Sequence, residues 1–238
     1  MRNIPTVKRR KPEVFVPLCF TAVEANSTVQ LNKNWSPAAV ELEISTDWIT
    51  WTDYTIGSAI TLANVWDKVY IRNKSETDTW FTIVPQVDYY QFVMTWKIWA
   101  SWNVTSLLNK NWTTTLSEYC YETLFSDCTS LTTAPELPST ILADKCYRYM
   151  FKNCTSLATL PELPAITLAD SCYLGMFQWC TIIKLSETQT WEYQIPYRIP
   201  TTWTWTKADI SLFSMFNNTW WTFTWTPDIN TTYYLSNA

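Results

Sequence analysis

Histidine is absent from the 238 residues, and glycine occurs only twice, at Gly57 and Gly175. The first absence removes histidine general acid–base catalysis, Ser–His and Cys–His nucleophile pairs and histidine-ligated metal sites. The second is anomalous, because average usage of about 7% would place roughly 17 glycines in a chain of this length. Charged residues are sparse at 16%. No apolar run approaches the ~18 residues of a membrane-spanning helix, so no membrane span is expected.

What the chain does contain is 47% apolar residues, enough to bury a core, and sixteen tryptophans. The net charge of −4 is uneven. Arg2, Lys8, Arg9, Arg10 and Lys11 stand without an acid near the start, leaving 12 basic against 21 acidic residues beyond them. An acidic body argues against a nucleic-acid partner, and residues 1–12 read as a basic flexible tail. The apolar stretch Val14–Phe20 is interrupted by Pro17 and reads as a first strand, so no clear signal peptide is expected.

Six of the seven cysteines fall at 120, 128, 146, 154, 172 and 180, three pairs with a period of 26 residues. The segments 119–144 and 145–170 are identical at 15 of 26 positions. A third copy begins at Ser171 and loses the Pro-Glu-Leu-Pro segment; a fourth, partial copy follows an insertion, with Met215-Phe216 matching Met150-Phe151 and Thr219 in place of cysteine. Upstream, Leu116 stands one period before Leu142, and Thr105-Ser106-Leu107 echoes Thr129-Ser130-Leu131. Units of this length cannot bury their own apolar faces and must stack. The period predicts a strand over 130–134, ended by Pro135 and Pro138, and a short helix or 3₁₀ turn over segments such as 143–153. It also predicts a Leu131–Leu157–Ile183 ladder and a Phe125–Phe151–Phe177 ladder. The C-x₇-C spacing is not that of a zinc site, and an odd cysteine total does not close into disulfides, so the thiols read as buried small hydrophobes.

The pattern F-x-x-C-T-S-L, then L-P and A-x-x-C-Y-x-x-M-F, resembles the BspA-type leucine-rich repeat of bacterial surface proteins, with similar repeats in phage-encoded ones. It covers about half the chain. The resemblance implies a leucine-rich-repeat solenoid over 103–238 with an irregular C-terminal cap. Before it, residues 13–96 alternate polar and apolar, as in 29–31, 40–44 and 68–71, which predicts a small antiparallel β-sandwich. The fold class expected is therefore mainly β with short helices, a sandwich followed by a solenoid. Ser45-Thr46-Asp47-Trp48-Ile49-Thr50-Trp51 resembles an Asp-box hairpin, although it is one residue short and Trp48 takes the glycine position.

Fifteen of the sixteen tryptophans stand where turns want glycine, and eleven of those follow Asn, Asp, Ser or Thr. Asn34-Trp35 and Asn111-Trp112 replace Asn-Gly, and Trp179 occupies the position of Asp127 and Asn153. Only Trp51 sits where its hairpin wants tryptophan. A gene whose UGA codons specify glycine, translated with UGA as tryptophan, would give this chain. That reading predicts exposed tryptophans in loops, several with positive φ.

The function expected is non-enzymatic: a surface or adhesion module presenting its strand face to a protein or glycan partner, at the cell surface or on a virion. Partner-face candidates are Thr132, Thr133, Glu136, Thr159 and Glu162. No catalytic residue, metal or cofactor is expected. The alternative is a phage tail or host-recognition structural protein, and more remotely a carbohydrate-binding module using exposed tryptophans.

Overall fold

The computed structural model describes residues 16–36, 39–78, 80–82, 88–111, 114–199, 206–207, 210–221 and 226–236. The basic tail 1–12 and the start of the Val14–Phe20 segment lie outside them. The first strand is Leu18–Ala22 (β1), buried at every position. It is followed by β2 (Ser27–Asn34), β3 (Leu42–Ser45), β4 (Thr52–Tyr54), β5 (Ile60–Leu62), β6 (Lys68–Asn73), β7 (Tyr89–Thr95), β8 (Ile98–Ser101) and β9 (Leu131–Thr133). Six shorter or later strands complete the order: β10 (Thr167–Leu168), β11 (Lys184–Ser186), β12 (Tyr193–Arg198), β13 (Thr206–Lys207), β14 (Trp220–Trp221) and β15 (Thr232–Ser236). The chain is mainly β, with several sheets and none closed.

The alternating segments become half-buried strands, as expected: β2 alternates buried and partly exposed residues over its first six positions, and β6 does so throughout. One sheet runs β4-β3-β6-β1-β8-β9 and another β5-β2-β7. Their inner faces share a core in which Phe20 of β1 meets Phe92 of β7 edge-on, with ring centroids 4.9 Å apart. All pairs in these two sheets are antiparallel except β8–β9, which is parallel.

That parallel pair is where the repeats begin. Ile98 lies opposite Leu131, and Thr133 bridges onward to Thr159 one period later. A second row of parallel bridges links Thr115, Ile141 and Thr167, so the echo between Leu116 and Leu142 is real in space. The Thr105-Ser106-Leu107 echo is not. Those residues form a 3₁₀ turn, Val104–Leu107, capped by the Asn103 side chain. The rung before the first repeat comes instead from β7 and β8.

Of the short helix or 3₁₀ turn expected over each cysteine-bearing segment, no helix forms, and turns closed by three-residue hydrogen bonds take its place; Val104–Leu107 is the sole helical element among the described residues. Residues 118–127, 144–153 and 170–179 are continuous turns. Their buried residues recur in steps of four, as in Cys120, Leu124 and Cys128 beside Tyr121 and Phe125. A period of four sits too close to the helical 3.6 for the pattern to separate them. Hydrogen bonding decides the matter. The N–H groups of Cys120, Glu122, Leu124 and Ser126 donate to the carbonyl three residues back, while those of Tyr121, Thr123, Phe125 and Asp127 donate to Cys146, Arg148, Met150 and Lys152 of the next unit. Every second donor is thus spent between units. Each unit has three left-handed residues at four-residue intervals: 119, 123 and 127; 145, 149 and 153; 171, 175 and 179; 210, 214 and 218. Glycine is required at one of them. Gly175 has φ +58°, and a side chain there would overlap the Tyr149 ring of the preceding unit.

The stacked units bury continuous ladders. Phe92, Phe125, Phe151, Phe177 and Phe216 stack ring on ring at 5.1, 5.4, 5.6 and 5.4 Å between centroids. Tyr121, Tyr147 and Tyr173 follow at 5.7 and 5.8 Å. Leu131, Leu157 and Ile183 are each buried in the core. All seven cysteines are buried thiols outside any disulfide. The thiols of Cys128, Cys154 and Cys180 donate to the carbonyls of Phe92, Phe125 and Phe151, each one rung earlier. Burial pushes the Cys120, Cys172 and Cys180 thiols up to about 12. Thiolate is the reactive form. A thiol-specific reagent such as Ellman's should therefore find none of the seven within minutes in the native chain and all seven in guanidinium; prompt native reaction of two or more would contradict this packing.

Candidate partner-binding face

The expected strand face is built from two consecutive Pro-Glu-Leu-Pro segments. Proline supplies no N–H for a sheet ladder, so β9 stops at Thr133 and the chain leaves the strand direction. Leu137 and Leu163 turn inward and are buried, whereas the intervening Glu136 and Glu162 are exposed. Pro135, Pro138, Pro161, Pro164 and Leu160 wall a shallow groove of about 470 Å³ with the two glutamates in its lining. Partial desolvation against the groove wall raises the Glu136 carboxyl pKa, and repulsion from Glu162 adds to the rise. A cationic group in this groove would relieve that repulsion.

Beside it lies a second groove of about 540 Å³, lined by Thr159, Leu160, Ile182, Ile195 and Leu235, with Lys184 among its walls. Leu160 lines both. The second groove exists because the strand ladder breaks after Thr159. In the third unit β11 pairs with β15 on one side and with β14 on the other, and β12 pairs with β15. The missing third Pro-Glu-Leu-Pro is thus replaced by an inserted antiparallel pair, anchored where the Tyr197 hydroxyl donates to the Pro161 carbonyl at 3.1 Å.

Among known protein families, curated proteins and solved structures, none matches this chain. Function therefore has to be argued from the face itself.

Of the five candidate residues, Glu136, Glu162 and Thr159 line the two grooves. Thr132 and Thr133 are committed elsewhere. Their hydroxyls donate to the carbonyls of Ile98 at 3.0 Å and Ala100 at 2.8 Å, and so fasten β9 to β8. Ile195 and Leu235 were not foreseeable, because they reach the groove from a segment outside the repeat. Among the described residues, no group of three His, Cys, Asp or Glu side chains is arranged to hold a metal ion. No helix there is long and apolar enough to cross a membrane.

The hairpin resembling an Asp-box is a separate feature. Asp47 Oδ1 accepts from the backbone N–H of Ile49 (2.8 Å) and Thr50 (2.7 Å) and from the Ser45 hydroxyl (2.9 Å). Those donors hold its carboxyl down to about 2. The carboxylate is occupied in closing the β3–β4 turn. Trp51 carries the Arg72 guanidinium 3.7 Å from its ring centroid, and Arg72 pairs with Glu43 at 2.7 Å. These contacts describe a structural hairpin.

Proposed function

We propose that the chain is a non-enzymatic binding module of the BspA-type leucine-rich-repeat kind. In this reading residues 13–96 are a β-sandwich that serves as spacer or attachment, and residues 103–238 are a solenoid with an irregular C-terminal cap. The solenoid offers its proline-walled face to a protein or glycan at a cell surface. The observation that carries the reading is the pair of adjoining grooves around Leu160, one acidic and one apolar, set on a stack whose ladders keep successive units in register. Repeat stacks commonly use such an extended face for partners. Absence of histidine supports a binding role over the commonest catalytic ones.

The test is saturable binding of the intact chain to panels of purified glycans and extracellular proteins, measured by interferometry. Thr159→Arg, which fills the apolar groove, and the pair Glu136→Ala with Glu162→Ala, which removes the acidic one, should each weaken a genuine ligand at least tenfold, about 1.4 kcal/mol. Lys152→Glu, on the turn side of the stack, should leave affinity unchanged. Affinity of both groove variants equal to that of the unsubstituted chain, or no saturable ligand in either panel, would overturn the proposal.

A further inference from the structure

We propose that fifteen of the sixteen tryptophans, all but Trp51, are glycine in the protein as its own source makes it, their codons being UGA read there as glycine. The backbone carries this inference independently of any binding role. Outside the stacked turns, the described residues in the left-handed region are Asn26, Trp35, Trp48, Gly57, Trp66, Trp96, Trp102 and Asn230, with φ from +57° to +90°. Every one is tryptophan, asparagine or glycine. Glycine enters that region without steric cost, and asparagine tolerates it through local hydrogen bonding. Tryptophan has neither property, yet it holds five of the eight positions. Within the stack, the third left-handed series reads Asp127, Asn153, Trp179 and Asn218, again with one tryptophan among residues suited to the conformation.

The side chains of the six left-handed tryptophans give no compensating reason for being there, whereas Trp80 packs partly buried against the core. A tryptophan retained for packing buries its large apolar area. Of the eleven described positions in question, Trp220 and Trp221 form strand β14; of the other nine, Trp35, Trp66, Trp96, Trp99, Trp102, Trp179 and Trp191 are exposed, up to 83% for Trp191, and Trp48 and Trp80 are only partly covered. The six left-handed ones occupy six separate turns: after β2, between β3 and β4, between β5 and β6, between β7 and β8, after β8, and in the third stacked unit. Trp99 lies at the register irregularity between β8 and β9, a place that also favours glycine. The rings of Trp66 and Trp99 meet at 5.0 Å and Trp48 meets Tyr70 at 5.1 Å. Such scattered contacts do not make the common surface that sugar rings would need for stacking. Trp51 differs in having the Arg72 guanidinium over its ring as a fixed partner; like Trp80, Trp99 and Trp191, it is not left-handed. Trp112, Trp203, Trp205 and Trp225 lie outside the described residues and are assigned by their Asn- or Thr-preceded turn sequences.

The deciding measurement is peptide mass on protein isolated from its source. Trypsin releases residues 34–68, which hold Trp35, Trp48, Trp51 and Trp66. Three conversions to glycine, each removing an indolylmethyl group, make this peptide about 390 Da lighter than the printed sequence requires. The gene should show UGA at the fifteen positions and UGG at Trp51. An unshifted mass or UGG throughout overturns the proposal. As a second measurement, the recombinant chain with glycine at all fifteen positions should melt at least about 5 °C above the tryptophan form, whereas Trp51→Gly should melt lower than its parent. A glycine form that melts no higher, or does not fold, counts equally against it.

Discussion

Phe151→Ala is expected to cost about 3–5 kcal/mol, the range for removing a fully buried aromatic side chain. Phe151 is wholly inaccessible and sits between Phe125 and Phe177 in the middle of a five-ring column. Its neighbours cannot close the gap, because their own spacing is set by backbone hydrogen bonds between units on either side. The carbonyl of Phe151 also accepts the Cys180 thiol, so a shift of this rung disturbs the next. Urea unfolding followed by circular dichroism should show a lower midpoint. The transition should stay single, since a column running from Phe92 to Phe216 ties the first sheets to the last unit. Two separated transitions, or a loss under 1 kcal/mol, would mean the column does not hold these parts together. Phe151→Leu should lose less, because it keeps most of the volume.

Arg148→Met is expected to cost as much at pH 8 and far less in acid. Glu122 is nearly inaccessible, and its Oε1 accepts from the Arg148 Nε at 2.6 Å across one period; its Oε2 is buried without a hydrogen-bond partner. Burial raises the Glu122 carboxyl pKa, and Arg148 is the main influence holding it down. The sign follows from linkage. A carboxyl whose folded pKa lies above its unfolded value of about 4.3 binds its proton more tightly in the folded chain. Stability is then greatest below the unfolded value and falls as pH rises through the folded one. Removing Arg148 moves the folded value further up and deepens that fall. Breaking a buried pair by deleting one partner costs about 3–5 kcal/mol. Unfolding midpoints compared at pH 4 and pH 8 should therefore show the variant close to its parent in acid and well below it at pH 8. A gap independent of pH would assign the loss to packing between Tyr119 and Tyr149, which flank the guanidinium. Glu122→Leu combined with Arg148→Met should recover most of the stability at pH 8.

Features that depend on a single period were legible in the sequence. Cysteines 26 residues apart are buried thiols, phenylalanines 26 apart stack, and the first strand of the repeat lies where 130–134 placed it. The conformation inside the cysteine segments was legible only as far as the choice between a short helix and a 3₁₀ turn. The same apolar spacing serves a helix or a chain of turns, and the choice depends on donors satisfied by a neighbour that the local sequence cannot reveal. Left-handed Thr123 and Ile210 illustrate it, being poor choices by propensity that are held by hydrogen bonds around them. The candidate face was half legible. Glu136 and Glu162 repeat, so their alignment could be read; Thr132 and Thr133 also looked available, but their hydroxyls close onto β8. Ile195 and Leu235 come from the inserted β12–β15 pair, which has no periodic signature. The tryptophans were informative because they contradict local turn chemistry, and the left-handed angles fall on six of them.

Phe92 at one end of the column and Phe216 beyond the insertion at the other have different surroundings from the three rungs between them. Neither end is an ordinary repeat, so the count of middle rungs is free to vary while both ends stay unchanged. Duplicating residues 145–170 in frame should lengthen the molecule by one strand spacing, about 4.8 Å, and add one more proline-walled groove. Gene duplication could thus have tuned the reach of this protein in steps of a single unit, with the same two ends closing every length.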